Sequence, residues 1–296
     1  MLIKKFMKQR QGSSRLVFRI LPGIVLLLML LSAYSGNRAV LPSGIKWEVL
    51  GQGLAVTNVP GPHISKYADS RVTVVKIDPA FYTFDLAVSS ESDSLQRTIK
   101  EWCELENFDG AINAGMYSLI DHVSGVGYMQ HYSHINNPVI KENFNAMVVF
   151  NTSDSLLPPF QIVDMVNQDW KTIVPKYHCC FQSIRMIDNN TIPVYWKPKR
   201  VQRCSMTLLA TDKSGNVLFL FARSPYTANE MTKFMLAAGL DIRTAMYLEG
   251  GPEASMYVKS PGNEMIKFGS FVSYSNPNDD NLELRKMPNV LGFKRK

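Results

Sequence analysis

The chain has 296 residues, 46% of them hydrophobic and 19% charged, which is enough apolar material for a packed core and too much for a disordered polymer. Its net charge of +7 looks like a nucleic-acid signature until it is mapped. Lys4, Lys5, Lys8, Arg10, Arg15 and Arg19 stand without an acid among the first nineteen residues, leaving 26 basic against 25 acidic residues elsewhere, so the rest of the chain offers no basic stripe and argues against nucleic acid as a partner.

Behind that basic segment, residues 20–34 (ILPGIVLLLMLLSAY) form one continuous apolar run, the layout of an export signal. Ala33 and Ser35 suit cleavage before Gly36, while an apolar run extended back to Leu16 approaches the ~20 residues that span a bilayer. We read residues 1–36 as a signal-anchor or signal peptide, with the slight preference going to an anchor. The amino-terminal positive charges then keep that end in the cytoplasm and place the remainder outside it. The membrane is thus an expected partner through this segment. Residues 37–45 read as a linker and 46–296 as one domain.

From Trp47 the apolar positions alternate, and residues 71–77 (RVTVVKI) and 81–88 (FYTFDLAV) predict two strands around Asp78-Pro79, either a hairpin or two successive strands. The period then lengthens. Leu95, Ile99, Trp102 and Leu105 share one helical face over residues 94–105, with Ser92 or Ser94 as cap. A strand over 109–113 ends in Asn113-Ala114-Gly115-Met116-Tyr117, and residues 118–143 lack clear periodicity, as functional or mobile segments do. Further strands are predicted over 145–151, 161–166, 181–187 and 191–196, and a hairpin over 203–211 and 217–221.

The best helix is 227–239, where Thr227 and Glu230 are spaced as a capping box, Met231, Phe234, Met235 and Ala238 share a face, and Gly239 is the stop. The tail Lys294-Arg295-Lys296 reads as a solvated end. Many strands and few helices predict an α+β fold, a single domain on a mixed, largely antiparallel sheet. Cys204 with Cys179 or Cys180 is compatible with one disulfide, and Cys103 reads as a buried thiol on a helix.

The stretch 246–258 (MYLEGGPEASMYV) delivers a carboxylate, Glu249, to the end of an apolar strand, then a constrained Gly250-Gly251-Pro252 loop, a second carboxylate at Glu253 and a hydroxyl at Ser255. Two converging carboxylates suit acid and base work on a glycosidic bond; a solvated corner is the bland alternative. Asn113 offers an amide at a strand end, and Gly115 lets a ligand approach the backbone. Arg203 and Arg223 flank apolar strands, where a guanidinium holds a phosphate or carboxylate. His131 and His134, and His178-Cys179-Cys180 with Cys204, are weak metal patterns without a supporting motif. No phosphate loop or dinucleotide fingerprint is present, so no organic cofactor is expected, while the sequence leaves room for a divalent metal.

Together AINAGMY (111–117), FQSIRMIDNN (181–190), RCSMTLLATDKSGNVLFLF (203–221), TANEMTKFMLAAGL (227–240) and AMYLEGGPEASMYV (245–258) resemble the phosphodiester glycosidase family in order and spacing, from about residue 71 to 274. The resemblance implies hydrolysis of a sugar 1-phosphodiester on an extracytoplasmic glycan. It implies catalytic roles for Glu249, Asn113 and Arg203, and substrate binding by Gly115, Arg223, Gly250, Gly251, Glu253 and Ser255. The departures are Glu249, where many members carry aspartate, and Pro252 and Glu253 in place of glycine and serine. A non-catalytic envelope protein binding glycan in the same cleft and a metal-dependent phosphodiesterase are the competing readings.

Overall fold

The computed structural model describes residues 44–197, 201–273 and 276–296. The reading of residues 1–36 lies outside them, and among the described residues no helix is long and apolar enough to cross a membrane.

Among the described residues, sixteen strands form two sheets. The larger is built from β1 (Glu48–Gly51), β2 (Leu54–Pro60), β3 (Arg71–Ile77), β6 (Met129–His131), β7 (His134–Asn137), β8 (Ala146–Phe150), β9 (Phe160–Asp164), β10 (Cys179–Ile187), β11 (Cys204–Asp212), β12 (Val217–Tyr226) and β13 (Ile242–Gly250). Its order is β1-β2-β3-β12-β11-β13-β10-β6-β7, with β8 and β9 branching from β10. The smaller sheet joins β4 (Tyr82–Val88), β5 (Gly110–Asn113), β14 (Ser255–Ser260), β15 (Asn263–Phe268) and β16 (Asn289–Arg295) in the order β15-β14-β5-β16-β4. Each strand pairing among the described residues is antiparallel, so the parallel component implied by a mixed sheet is not found there.

Alternation along the strands explains the layering. On β12, Val217, Phe219 and Phe221 face the smaller sheet and meet Phe84, Leu291 and Phe293 in the main core, while Leu218, Leu220 and Ala222 face the other way. That outer face is covered by the helix α3 (Ala228–Ala237) through Met231, Phe234 and Met235. The outer face of the smaller sheet is covered by α1 (Ile99–Glu106) through Ile99, Trp102 and Cys103. The result is helix, sheet, sheet, helix, with a one-turn helix α2 (Trp170–Ile173) at the margin.

Several expectations change. The strands 71–77 and 82–88 are successive but sit in different sheets, which excludes a hairpin. Helix α1 starts later than its apolar spacing suggests, because Thr98 and Glu101 form a reciprocal capping box; Leu95 and Leu105 are left exposed. Residues 191–196 form no strand: Thr191 has φ of 65° and only Pro193 makes an isolated bridge, to Ile187. The carboxyl-terminal tail keeps solvated side chains, yet the backbone of Lys294 and Arg295 continues β16 in its pairing with β4. The capping box of Thr227 and Glu230 and the hairpin β11–β12 stand as predicted.

Candidate active site

Strand β13 belongs to the larger sheet and β14 to the smaller, so residues 250–254 are the crossing between them. A bulge in the β11–β13 pairing sets Thr207 opposite Glu249 while Leu208 stays opposite Tyr247. Such an extra residue re-aims the side chains that follow it. Gly250 is extended; a Cβ there would lie 2.2 Å from the Tyr247 hydroxyl and 3.0 Å from Cys204 Sγ, so glycine is required by space. Gly251 has φ of 71° and opens the 3-10 turn Gly251–Glu253, so glycine is required there by conformation.

Glu249 and Glu253 both line a cleft of about 860 Å³. Its walls come from residues 116–126 and from Asn136 to Lys141. Asn136 accepts the Gly125 N–H at 2.7 Å and Asn137 donates to the Gly125 carbonyl at 2.6 Å, so β7 clasps the opposite wall. The segment without clear periodicity, read as functional or mobile, thus lines the cleft and contains a short hairpin, β6–β7.

The acids differ in state. Glu249 is half-buried, and burial raises its carboxyl to about 8; an N–H from Gly250 at 2.9 Å offsets part of this, and the Glu253 charge adds to it. Asp121, at the rim, is held at about 2 by hydrogen bonds from Ser124 and Val123. Tyr117 on the same wall is pushed up by burial, with Glu253 and Glu249 adding to the effect. At neutral pH the cleft therefore holds a protonated carboxyl at Glu249 and an ionised one at Asp121, so environment alone sets carboxyl groups in one cleft to opposite states.

The other expected residues are placed differently. Asn113 is 1% exposed and does not line the cleft. Its Nδ2 donates to the Glu253 carbonyl at 2.9 Å and to Met287 Sδ at 3.3 Å. Its Oδ1 accepts from Ser255 N at 2.8 Å and Thr207 Oγ1 at 3.1 Å. All four hydrogen-bonding capacities of the amide are used within the protein, leaving none to orient a sugar. Ser255 is fully buried and its hydroxyl donates to the Glu253 carbonyl at 3.1 Å. Both residues hold the loop. Gly115, with φ of 77°, turns the chain from β5 into the cleft wall at Met116.

The two arginines are committed elsewhere. Arg203 forms a two-pronged pair with Glu230 at 2.6 and 2.8 Å, lining a separate cavity of about 350 Å³ with Trp196, Cys204 and Tyr247. Arg223 donates to Asp279 at 2.7 Å and to the carbonyls of Phe268 and Asn281, both at 2.9 Å. Among the described residues, the basic side chain lining the cleft is Lys141, which forms no ion pair there. Lys141 was missed because nothing periodic surrounds it in the sequence.

The four cysteines are free thiols. Burial raises Cys204, which packs against Tyr247, and raises Cys180 to about 12. His131 and His134 lie opposite each other on the β6–β7 hairpin, not on a helix.

The family model described as phosphodiester glycosidase matches residues 106–294. The fold is similar to the crystal structure of a hypothetical protein from Synechocystis, with a TM-score of 0.56, 10% identity and coverage of 85% of this chain and 64% of that one. It is also similar to the catalytic domain of zebrafish N-acetylglucosamine-1-phosphodiester alpha-N-acetylglucosaminidase, auto-inhibited by its pro-peptide, with a TM-score of 0.55, 11% identity and coverage of 87% and 85%. The chain thus spans just under two thirds of the first of these. At such identities the likeness is one of fold. No curated relative matches the sequence.

Proposed function

This chain belongs to the phosphodiester glycosidase family, and from that membership we propose that it is a hydrolase cleaving a sugar 1-phosphodiester in the cleft floored by Glu249. The observation that carries the reading is the pair of carboxyl groups in one cleft, Glu249 raised to about 8 and therefore protonated at neutral pH, Glu253 four residues on. As the bond between the sugar C1 and the phosphate oxygen breaks, Glu249 gives its proton to the departing oxygen. Water adds to C1 and gives a proton to the Glu253 carboxylate, leaving free sugar and a phosphate monoester. A phosphate is already a good leaving group, so positioning and stabilisation of the developing cation at C1 carry much of the acceleration. Lys141 is the cleft's own cation for the phosphate. Asn113 and Ser255 act by fixing the backbone that carries Glu253.

The charge layout of residues 1–36 supports an extracytoplasmic location with a membrane anchor, and hence a glycan or glycoconjugate substrate met outside the cytoplasm. One observation favours a second reading, a glycan-binding protein that does not turn over: Arg203 and Arg223 are occupied by Glu230 and Asp279, so a phosphate in the cleft meets one lysine and several acids. A hydrolysis screen against sugar 1-phosphodiesters and nucleotide sugars, with and without chelator, separates the readings. Release of free sugar that Glu249→Gln abolishes supports the hydrolase. Tight binding of the same compounds without release supports the binder, and loss of activity to chelator alone points to metal-dependent chemistry.

A further inference from the structure

Away from the cleft, three side chains of different chemistry converge between the two sheets. Asp85 lies on β4 of the smaller sheet; His131 on β6 and Cys179 on β10 belong to the larger, where the two are directly paired in register. One donor atom from each lies within 4.8 Å of the others. His131 Nε2 is 2.9 Å from Asp85 Oδ1, and its Nδ1 is 2.6 Å from Glu91 Oε2. Asn151 Nδ2 donates to Cys179 Sγ at 3.5 Å. Cys179 is fully buried, while the side chains of His131 and Asp85 keep 17% and 28% of their exposure.

We propose that Asp85, His131 and Cys179 form a zinc site that fastens β6 and β10 of the larger sheet to β4 of the smaller. A mixed oxygen, nitrogen and sulfur set suits zinc, with three protein ligands and water at the fourth, solvent-facing position. In a tetrahedral site donor atoms stand about 3.5 Å apart, so His131 Nε2 and Asp85 Oδ1, hydrogen-bonded at 2.9 Å, have to open slightly, while the set as a whole, within 4.8 Å, closes around the ion. The surroundings are those of a built site. A carboxylate on the far nitrogen of a ligating histidine fixes the ring and raises its basicity, which is the position of Glu91; an amide N–H on a thiolate sulfur offsets its charge, which is the position of Asn151. Zinc displaces the proton of the Cys179 thiol and any proton at His131 Nε2. One aspartate, one thiolate and a neutral imidazole then balance the dication, and the imidazole Nδ1–H donates to the Glu91 carboxylate.

The site also bears on the cleft. His131 is on one strand of the hairpin, and Asn136 and Asn137, which clasp Gly125, are on the other. Fastening β6 holds the wall opposite Glu249.

The test uses the purified full-length chain, stripped with chelator and dialysed against zinc, with metal content measured by atomic emission. The expected result is one zinc per chain, and with cobalt in its place a near-ultraviolet thiolate-to-cobalt band. Cys179→Ala and Asp85→Asn, each checked for native melting, should lose the stoichiometric metal, and Glu91→Gln should weaken affinity by about 10- to 100-fold while keeping the cobalt band. Melting temperature should rise with free zinc in the wild type and not in Cys179→Ala. Absence of stoichiometric zinc in the wild type, or unchanged zinc in a folded Cys179→Ala or Asp85→Asn variant, overturns the proposal.

Discussion

The Oδ1 of Asn113 accepts the backbone N–H of Ser255 at 2.8 Å across 142 positions of chain, and on the other side of Ala254 its Nδ2 holds the Glu253 carbonyl. One amide therefore fixes the loop that crosses between the sheets. Asn113→Ala leaves the Ser255 N–H without a partner in a buried place and the Glu253 carbonyl with the Ser255 hydroxyl as its donor, so urea unfolding should show a loss of about 1–3 kcal/mol, the cost of one buried unpaired group. A variant as stable as the parent but unable to turn over substrate would return Asn113 to the substrate and sink this assignment.

Glu249→Gln should lower turnover by about 100- to 10,000-fold, the usual worth of a positioned acid, with the fold intact. Circular dichroism and single-turnover hydrolysis check it. Wild-type turnover in the variant would remove Glu249 from the chemistry.

The raised carboxyl of Glu249 gives two pH signatures. Activity should fall as pH rises through about 8, where the acid loses its proton. Stability follows from the proton count: between the ordinary carboxyl value, about 4.3, and about 8 the folded state keeps a proton that the unfolded chain has lost. Burying this group is therefore without penalty below that window, and the folded state weakens as pH rises through it. Urea midpoints of wild type and Glu249→Gln across pH 4 to 9 measure the difference, on the order of the pH window set by these two values. Parallel curves would mean that Glu249 titrates normally.

Gly250→Ala drives a methyl against the Tyr247 hydroxyl, 2.2 Å away. Overpacking of this kind costs about 1–3 kcal/mol, and here it also shifts Glu249. Adding Tyr247→Phe removes the clashing oxygen and should restore part of both stability and activity, a coupling of about 0.5–3 kcal/mol in a double-mutant cycle. Strict additivity would place the defect elsewhere.

Lys141→Ala should raise KM for a phosphodiester with little change in melting, whereas Arg203→Ala should leave KM unchanged and cost no more than about 1 kcal/mol, as an exposed pair does. The opposite pattern would restore the phosphate to Arg203.

Much of the framework was legible because it is local. The β11–β12 hairpin and the Thr227 box depend on residues a few positions apart, and the Glu249 loop announces itself through consecutive glycines and acids. What stayed hidden depends on partners far along the chain. Nothing near Arg203 says that Glu230 will take both prongs, and nothing near Asn113 says that Thr207, Glu253, Ser255 and Met287 will use up its amide. The start of α1 was misplaced because Leu95 matches the helical period, while the Thr98 and Glu101 cap decides where the helix begins. Asp85, His131 and Cys179 stand on three strands from two sheets, and no spacing links them.

Strand β16 lies between β4 and β5, with Leu291 opposite both Leu86 and Ile112. β4 and β5 are made early but cannot join until residues 289–295 arrive between them. Contacts of such separation slow folding, because a long loop must close before they contribute. Until then β4 has no strand partner among the described residues and β5 is joined on one side alone, and such edges invite pairing with other chains. Losing that last strand would therefore cut β4 away from the rest of the smaller sheet.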